Sequence, residues 1–333
     1  MSTKRTLIIV PVFNDNPSLA ILIQNLALEL GGRPGVSMLV IDDGSLPPIE
    51  VADVAECALE GQVITLSRNV GHQRALAIGL AYAVSHDLAD IIVVMDADGE
   101  DRPHDVPRML ALIERGSEMP IVVARRTKRS EPLTFRMFYQ LYRLLFLVLT
   151  GHRISFGNFS AMSITAAQRL VVMSELWVSL PATILRSRLR VVEMSTERGQ
   201  RYRDDPRMNI VSLVTLGFGA VSAFLERALT RMILGAMALV VLCIVASVIA
   251  MIFKLIGMAT PGWVTIVIGI SLILMVGVAI LSFIGLALSI LAGSHTIPAP
   301  SSLYRSFIIR ISKFGPSSLH PAHESPTADV GRK

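Results

Sequence analysis

The sequence predicts an α/β domain built on a mostly parallel sheet, followed by a two-helix transmembrane hairpin. Three observations carry that expectation. Residues 6–10, 37–41, 62–66, 91–95 and 121–124 are short apolar runs without alternation, as strands buried on both faces require. Segments of helical period lie near 19–30, 51–59, 73–86 and 106–114, and strands alternating with helices make a parallel sheet. Two long uncharged stretches then follow, at 232–253 and 263–293.

Each strand run ends on a polar signal. Pro11 stops the first, Asp42-Asp43-Gly44 the second, Ser67-Arg68-Asn69 the third, Asp96-Ala97-Asp98 the fourth and Arg125-Arg126 the fifth. Asp, Asn and Gly cap helices and make turns, which accounts for any one of these clusters. Five in succession, at the strand ends where open α/β sheets bind ligands, point to a site.

At about 1.5 Å rise per residue, 232–253 forms a helix of roughly 33 Å, enough to cross a bilayer. The stretch 263–293 is longer than one crossing needs, so tilt or an interfacial end is expected. Arg227 and Arg231 precede the hairpin, Arg305, Arg310 and Lys313 follow it, and only Lys254 marks the connection. The positive-inside rule then places both termini in the cytoplasm. The apolar run at the start is too short for a signal peptide, so residues 1–225 are expected to stay on that side. The expected organisation is a cytoplasmic domain with membrane-interface helices at 1–225, a hairpin at 226–293 and a cytoplasmic tail at 294–333. Within the tail, 304–314 alternates basic and apolar residues and is read as lying along headgroups. Beyond Gly315 the chain is rich in Pro, Ser and His and is read as disordered.

Composition agrees with this division. Of 333 residues, 52% are hydrophobic and 17% charged, against roughly 25% charged in ordinary soluble domains. The mean hydropathy of +0.57 argues against a purely soluble protein. Two cysteines, Cys57 and Cys243, cannot make a disulfide scaffold, and no Cys/His spacing suits zinc. Net charge is only +5, and nothing points to a nucleic-acid partner. A homo-oligomer is left open.

Asp96, Asp98, Glu100 and Asp101 crowd four carboxylates into a single turn of chain. Such like charges repel unless something positive joins them, and a hard divalent cation, Mg²⁺ or Mn²⁺ on a diphosphate, fits oxygen ligands. Asp42-Asp43 and Asn14-Asp15 could accept hydrogen bonds from ribose hydroxyls or a base edge. No G-x-G-x-x-G follows a strand and no G-x-x-x-x-G-K-[ST] occurs, so dinucleotide and P-loop readings are disfavoured.

The series Pro-Val-Phe-Asn-Asp, Ile-Asp-Asp-Gly-Ser, Asn-Val-Gly-His-Gln-Arg-Ala and Met-Asp-Ala-Asp-Gly-Glu-Asp-Arg-Pro resembles family-two glycosyltransferases of the GT-A fold. More narrowly it resembles the polyprenyl-phosphate glycosyltransferases, which include dolichyl-phosphate mannose synthase and bacterial undecaprenyl-phosphate glucosyltransferases. The resemblance spans roughly residues 5–230, and the hairpin matches the bacterial branch. It implies that Pro11, Phe13, Asp15, Asp42 and Asp43 hold the nucleoside. It places Asp96 and Asp98 at the metal and diphosphate, as catalytic residues together with Arg125, and Glu100 as a further metal ligand. Glu100 stands where Gln is common. Gly99 replaces a usual Leu and is expected to loosen its loop.

A polyprenyl phosphate is already anionic, so its oxygen needs no strong base, and His72 and His104 are read as loop hydrogen-bonders. What the reaction needs is positive charge on phosphates. Arg125, Arg126 and Lys128, with Arg129, supply one cluster, and Arg201 and Arg207, with Arg198 and Arg203, another. Residues 135–149 and 208–224 could be interfacial helices.

The resemblance implies an inverting, metal-dependent hexosyltransferase of the bacterial inner membrane. Its donor is a nucleotide-sugar, UDP-linked by similarity, its acceptor polyprenyl phosphate, and its product serves cell-envelope glycosylation. Two alternatives stand beside it. A processive polysaccharide synthase needs Gln-x-x-Arg-Trp, yet neither Trp177 nor Trp263 follows Arg. An inactive membrane scaffold predicts decayed acidic clusters, and these are present.

Overall fold

The structure, a computed structural model, describes residues 4–50, 59–115, 121–126, 140, 144–152, 155–203, 223–258, 260–294 and 297–315. Its chain divides into two compact units. The first comprises 1–129, 156–207 and 299–333, and the second 130–155 and 208–298.

The first unit is an eight-stranded sheet between helices. In chain order it holds β1 (Thr6–Val12), α1 (Asn16–Leu30), β2 (Val36–Asp42), β3 (Glu60–Leu66), α2 (His72–Ser85), β4 (Ile91–Val94), α3 (Val106–Arg115), β5 (Ile121–Arg126), β6 (Ser160–Ser163), α4 (Ile164–Val171), α5 (Leu180–Ser187) and β7 (Val191–Thr196). After the second unit's helices, α6 (Leu225–Leu255) and α7 (Trp263–Ser294), the chain returns as β8 (Ile308–Phe314). The sheet order is β7-β5-β6-β4-β1-β2-β3-β8. Pairs β1–β2, β1–β4, β2–β3 and β5–β7 are parallel, whereas β6 runs against β4 and β5, and β8 against β3.

All five strands expected from the sequence are present. Their apolar runs are continuous because both sheet faces are covered. Ile9, Ile41 and Ile64 pack on one side with Leu76 and Leu80 of α2, while Ile8, Val10 and Val40 pack on the other with Leu22 and Leu26 of α1. The helical segment expected near 51–59 lies almost wholly outside the described residues.

The tail departs from expectation. Residues 304–314 do not form a separate surface segment. Tyr304 is buried, with its ring 6.4 Å from Tyr82, and Phe307 stacks obliquely on Trp177 at 5.7 Å. β8 then pairs with β3, Gly61 opposite Phe314 and Val63 opposite Ser312. A Cβ on Gly61 would stand 2.4 Å from the Phe314 ring, so this glycine makes room for the closing aromatic. On this edge strand Arg310 and Lys313 stay exposed beside Ile309 and Ile311, and Phe314 is the side chain that closes into the core.

In the second unit, α6 and α7 expose large apolar side chains along their length, among them Leu242, Ile273 and Phe283. Leu225–Leu255 and 263–288 are long and apolar enough to cross a membrane. Residues 144–150 are helical, with Leu144, Leu145 and Val148 exposed and Phe146 buried edge-on against Phe224 at 5.9 Å. Arg231 Nη1 donates to the carbonyls of Leu147 (3.1 Å) and Val148 (2.9 Å), satisfying the end of that helix. Most of the segment expected at 208–224 lies outside the described residues.

If β8 is integral to the sheet, Phe314→Ala should destabilise the first unit by about 3 kcal/mol. Ile309→Ala, at an exposed position, should stay within about 0.5 kcal/mol. Thermal unfolding of the full chain in detergent checks this; the opposite ranking would mean a segment lying on lipid.

Candidate active site

The chain runs from β1 outward through β2 to β3, then crosses to β4 on the other flank of β1. The carboxyl ends of β1 and β4 therefore border the point where strand order reverses, the place open sheets leave for ligands. The loops after β1, β2, β3 and β4 supply the polar groups there.

On the β2 side the carboxylates are occupied by backbone. Asp42 is fully buried, and its oxygens accept from Ser45 N (2.9 Å) and Ile49 N (3.2 Å). Asp43 accepts from Val70 N (2.7 Å) and Gly71 N (3.0 Å), fastening the loop after β3 to that after β2. Burial still pushes Asp43 above the usual carboxylate range, against those two amides. Asn14, at φ 52°, ties the same region together: its N–H donates to Ser45 Oγ (2.9 Å) and its Oδ1 accepts from Leu46 N (2.8 Å). Asp15 caps α1 through Ser18 N at 3.4 Å, with Arg203 Nη1 3.8 Å away. Pro11 is buried inside β1, whereas Phe13 stands 47% exposed at its mouth.

On the β4 side the carboxylates meet guanidiniums. Glu100 Oε2 accepts from Arg126 Nη1 at 2.8 Å, and Oε1 accepts from Arg201 Nε at 2.7 Å and from Arg198. Burial acts to raise Glu100, yet the hydrogen bonds from Arg198 and Arg201 and the charge of Arg126 hold it at about 2. Asp101 is buried behind it, accepting from Arg126 Nη2 (3.1 Å) and from Asp96 N (3.0 Å). Burial and the neighbouring Asp96 charge push Asp101 up to about 7 despite Arg126. Asp98 Oδ1 accepts from Glu100 N (3.0 Å), and burial raises this carboxyl too. Asp96 is lowered; its own burial is outweighed by the charges of His72 and Arg126.

Two expectations are revised here. Arg126, rather than Arg125, reaches the acidic loop. Arg125 is its neighbour on an extended strand, and it bonds Glu193 of β7 at 3.0 Å. Gly99 tightens its loop instead of loosening it. It sits at φ 87°, and a Cβ there would stand 2.9 Å from both the Gln200 carbonyl oxygen and the Tyr202 ring. The bare backbone lets the acidic loop press against 199–202, where Gly199 N donates to Glu100 O and Tyr202 N to Asp98 O, each at 2.9 Å. Lys128 and Arg207 lie outside the described residues.

Sequence reasoning did not find Asn158. Leu180 N donates to Gln73 Oε1 (2.9 Å), Gln73 Nε2 to Asn158 Oδ1 (3.0 Å), and Asn158 Nδ2 lies 3.0 Å from His72 Nε2. His72 Nε2 stands 3.2 Å from Asp96 Oδ1. Burial acts to lower His72, but the Asp96 charge outweighs it and raises it. His104 instead pairs with Glu29 at 3.3 Å.

Asp96 and Asp98 suit a divalent cation. Both are hard oxygen donors, and Asp96 Oδ1 has only the His72 ring, 3.2 Å away, beside it. Glu100 fits less well, because both its oxygens already serve guanidiniums. Among the described residues, no three His, Cys, Asp or Glu side chains group closely enough to hold an ion unaided.

Gly99→Ala should cost about 1–2 kcal/mol, from the left-handed φ and the collision with Gln200 and Tyr202. Amide exchange across 96–102 should accelerate. Unchanged exchange would mean that this loop is not held by its contact with 199–202.

The Glycosyl transferase family 2 model matches residues 7–171. An undecaprenyl-phosphate 4-deoxy-4-formamido-L-arabinose transferase of Yersinia enterocolitica is 26% identical over 228 residues, 66% of this chain and 67% of the relative. A Salmonella paratyphi B protein of the same description is 25% identical over 230 residues, with the same shares. A crystal structure of glucosyl-3-phosphoglycerate synthase from Mycobacterium tuberculosis, in complex with Mn²⁺, UDP and phosphoglyceric acid, superposes with a TM-score of 0.50 at 15% identity, covering 68% of this chain and 78% of the other. With its GT-A-like sheet and acidic strand-end loops, the chain carries a family 2 glycosyl transferase domain at residues 7–171.

Proposed function

We propose that this protein transfers a sugar from a nucleotide-sugar donor, a UDP-sugar, to polyprenyl phosphate at the cytoplasmic face of a bacterial inner membrane, with inversion at the anomeric carbon. The observation that carries the reading is one arrangement: Asp96 and Asp98 at the strand-order reversal, flanked by Arg126, Arg198 and Arg201. The matched undecaprenyl-phosphate sugar transferases support the acceptor class.

The chemistry suits these residues. The acceptor phosphate is anionic at neutral pH and attacks the anomeric carbon directly, so no catalytic base is required. The carbon–oxygen bond to the leaving diphosphate breaks as the new bond forms, and positive groups fixed beforehand stabilise the charge that develops. Arg126, Arg198 and Arg201 are such groups, with Asp101 orienting Arg126. A divalent cation, Mg²⁺ or Mn²⁺, held by Asp98 and Asp96 would neutralise the diphosphate as a Lewis acid. Asp42, Asp43 and Asn14 keep the nucleoside-side loops in place through backbone hydrogen bonds, and Phe13 offers an exposed ring at the mouth.

The fold also bears on topology. β8 follows the hairpin yet pairs with β3, which precedes it. This pairing supports a hairpin with both ends on one side of the membrane, and the Arg and Lys flanking it favour the cytoplasm.

A panel of radiolabelled nucleotide sugars with undecaprenyl phosphate should yield organic-phase label for one donor. Asp98→Asn, or excess chelator, should lower that rate on the order of 10²-fold or more without unfolding the protein. Full activity in chelator would remove the metal from this reading. Reporters placed after Lys333 and in the turn at 257–262 should report opposite sides, the first cytoplasmic. The same side for both would show that one helix does not span.

A further inference from the structure

Glu100 occupies a peculiar position. Its side chain is only 8% exposed, while Arg126, Arg198 and Arg201, which hold it, are each about a third exposed (34%, 36% and 33%). The carboxylate thus lies deeper than the three guanidiniums that hold it, each of which keeps part of its side chain exposed. Its main chain is fixed as well, by Glu100 N on Asp98 Oδ1 (3.0 Å) and Gly199 N on Glu100 O (2.9 Å). The three arginines come from two separate places, the end of β5 and the segment after β7, and converge on this one carboxylate. Planar guanidinium forks directed at two neighbouring oxygens are the donor set that carboxylate and phosphate share.

We infer that Arg126, Arg198 and Arg201 form a phosphate seat that Glu100 fills in the absence of substrate, and that Glu100 is this seat's counter-anion rather than a metal ligand. The inference rests on the proposed function only in requiring a phosphate-bearing substrate. A doubly charged phosphate outcompetes a single carboxylate for three cations, and Arg198 also reaches an open cleft that it lines with Arg102, Gln200 and Tyr202. Asp101, buried under Arg126, stays behind to orient that guanidinium when Glu100 lets go. Asp96 and Asp98 remain the oxygen donors for a cation, so the two aspartates and the three arginines serve different ligands.

The test is Glu100→Gln in the full chain, purified in detergent and assayed for binding without turnover. In chelator, UDP and a short-chain prenyl phosphate are titrated separately. Mn²⁺ is titrated alone and followed by electron paramagnetic resonance. The seat predicts that at least one phosphate ligand binds about tenfold tighter to Glu100→Gln, because one negative charge has left the ring, while Mn²⁺ affinity stays within about twofold. Tightening of UDP alone assigns the seat to the donor, of the prenyl phosphate alone to the acceptor, and of both to either. Arg201→Gln should weaken the same ligand in the Glu100→Gln background. Unchanged phosphate binding, or a Mn²⁺ affinity that falls tenfold, would overturn the inference and return Glu100 to the metal. Because no sugar transfer is measured, a seat that responds as expected in a protein that transfers no sugar would leave the seat standing and the proposed reaction refuted.

Discussion

The rest of the site depends on how one sheet edge tolerates its own negative charge. Asp42, Asp43, Asp96, Asp98, Glu100 and Asp101 follow the second and fourth strands, and most of them are substantially buried. Burial disfavours each ionised carboxylate, and neighbours of like sign add to the cost. The fold answers in two ways. Backbone amides take up Asp42 and Asp43, which become loop fasteners. Guanidiniums take up Glu100 and half of Asp101. Asp96 and Asp98 are left less satisfied, Asp96 Oδ1 facing His72 at 3.2 Å and Asp98 Oδ1 taking one main-chain amide. The compensation is uneven, and its unevenness separates residues that hold the structure from those free to bind something else.

The same compensation spreads the acids apart in their proton affinity. Glu100 at about 2 and Asp101 at about 7 are consecutive residues sharing one arginine. The difference lies in the partners: Glu100 has three cations, while Asp101 has Arg126 alone and faces Asp96. Alternate pointing of successive side chains along a strand explains why Arg125 and Arg126, side by side at the end of β5, go to Glu193 and to the acidic loop respectively.

That parity marks the limit of what the sequence reveals. Strands β1 to β5 were legible because each is apolar on both faces and ends on a polar turn. β6 is only four residues, Ser-Ala-Met-Ser, and β7 and β8 mix polar with apolar residues, so neither composition nor run length set them apart. The acidic loop was legible from its density of carboxylates, but which of two adjacent arginines served it required the register of a strand end. Gly99 read as a loss of side-chain packing, whereas its meaning lies in 199–202, a segment about a hundred residues away that presses on it. Asn158 was invisible for the same reason, since it meets His72 across 86 residues of chain. Local chemistry can be read along the sequence, and contacts between distant loops cannot.

The strand hidden in the tail has the widest consequence. A hairpin at the end of a chain would tether its domain by one connection and leave the preceding sheet edge open. Here the chain passes through the hairpin and returns to pair with β3, so the sheet of the first unit is complete only after the last helix has been made. Residues 130–155 leave and rejoin the first unit as well, which gives the sheet four covalent connections to the apolar unit. The sheet and the apolar helices are therefore joined by the path of the chain itself, and the strand that closes the sheet beside β3 is supplied only after both long helices have been laid down.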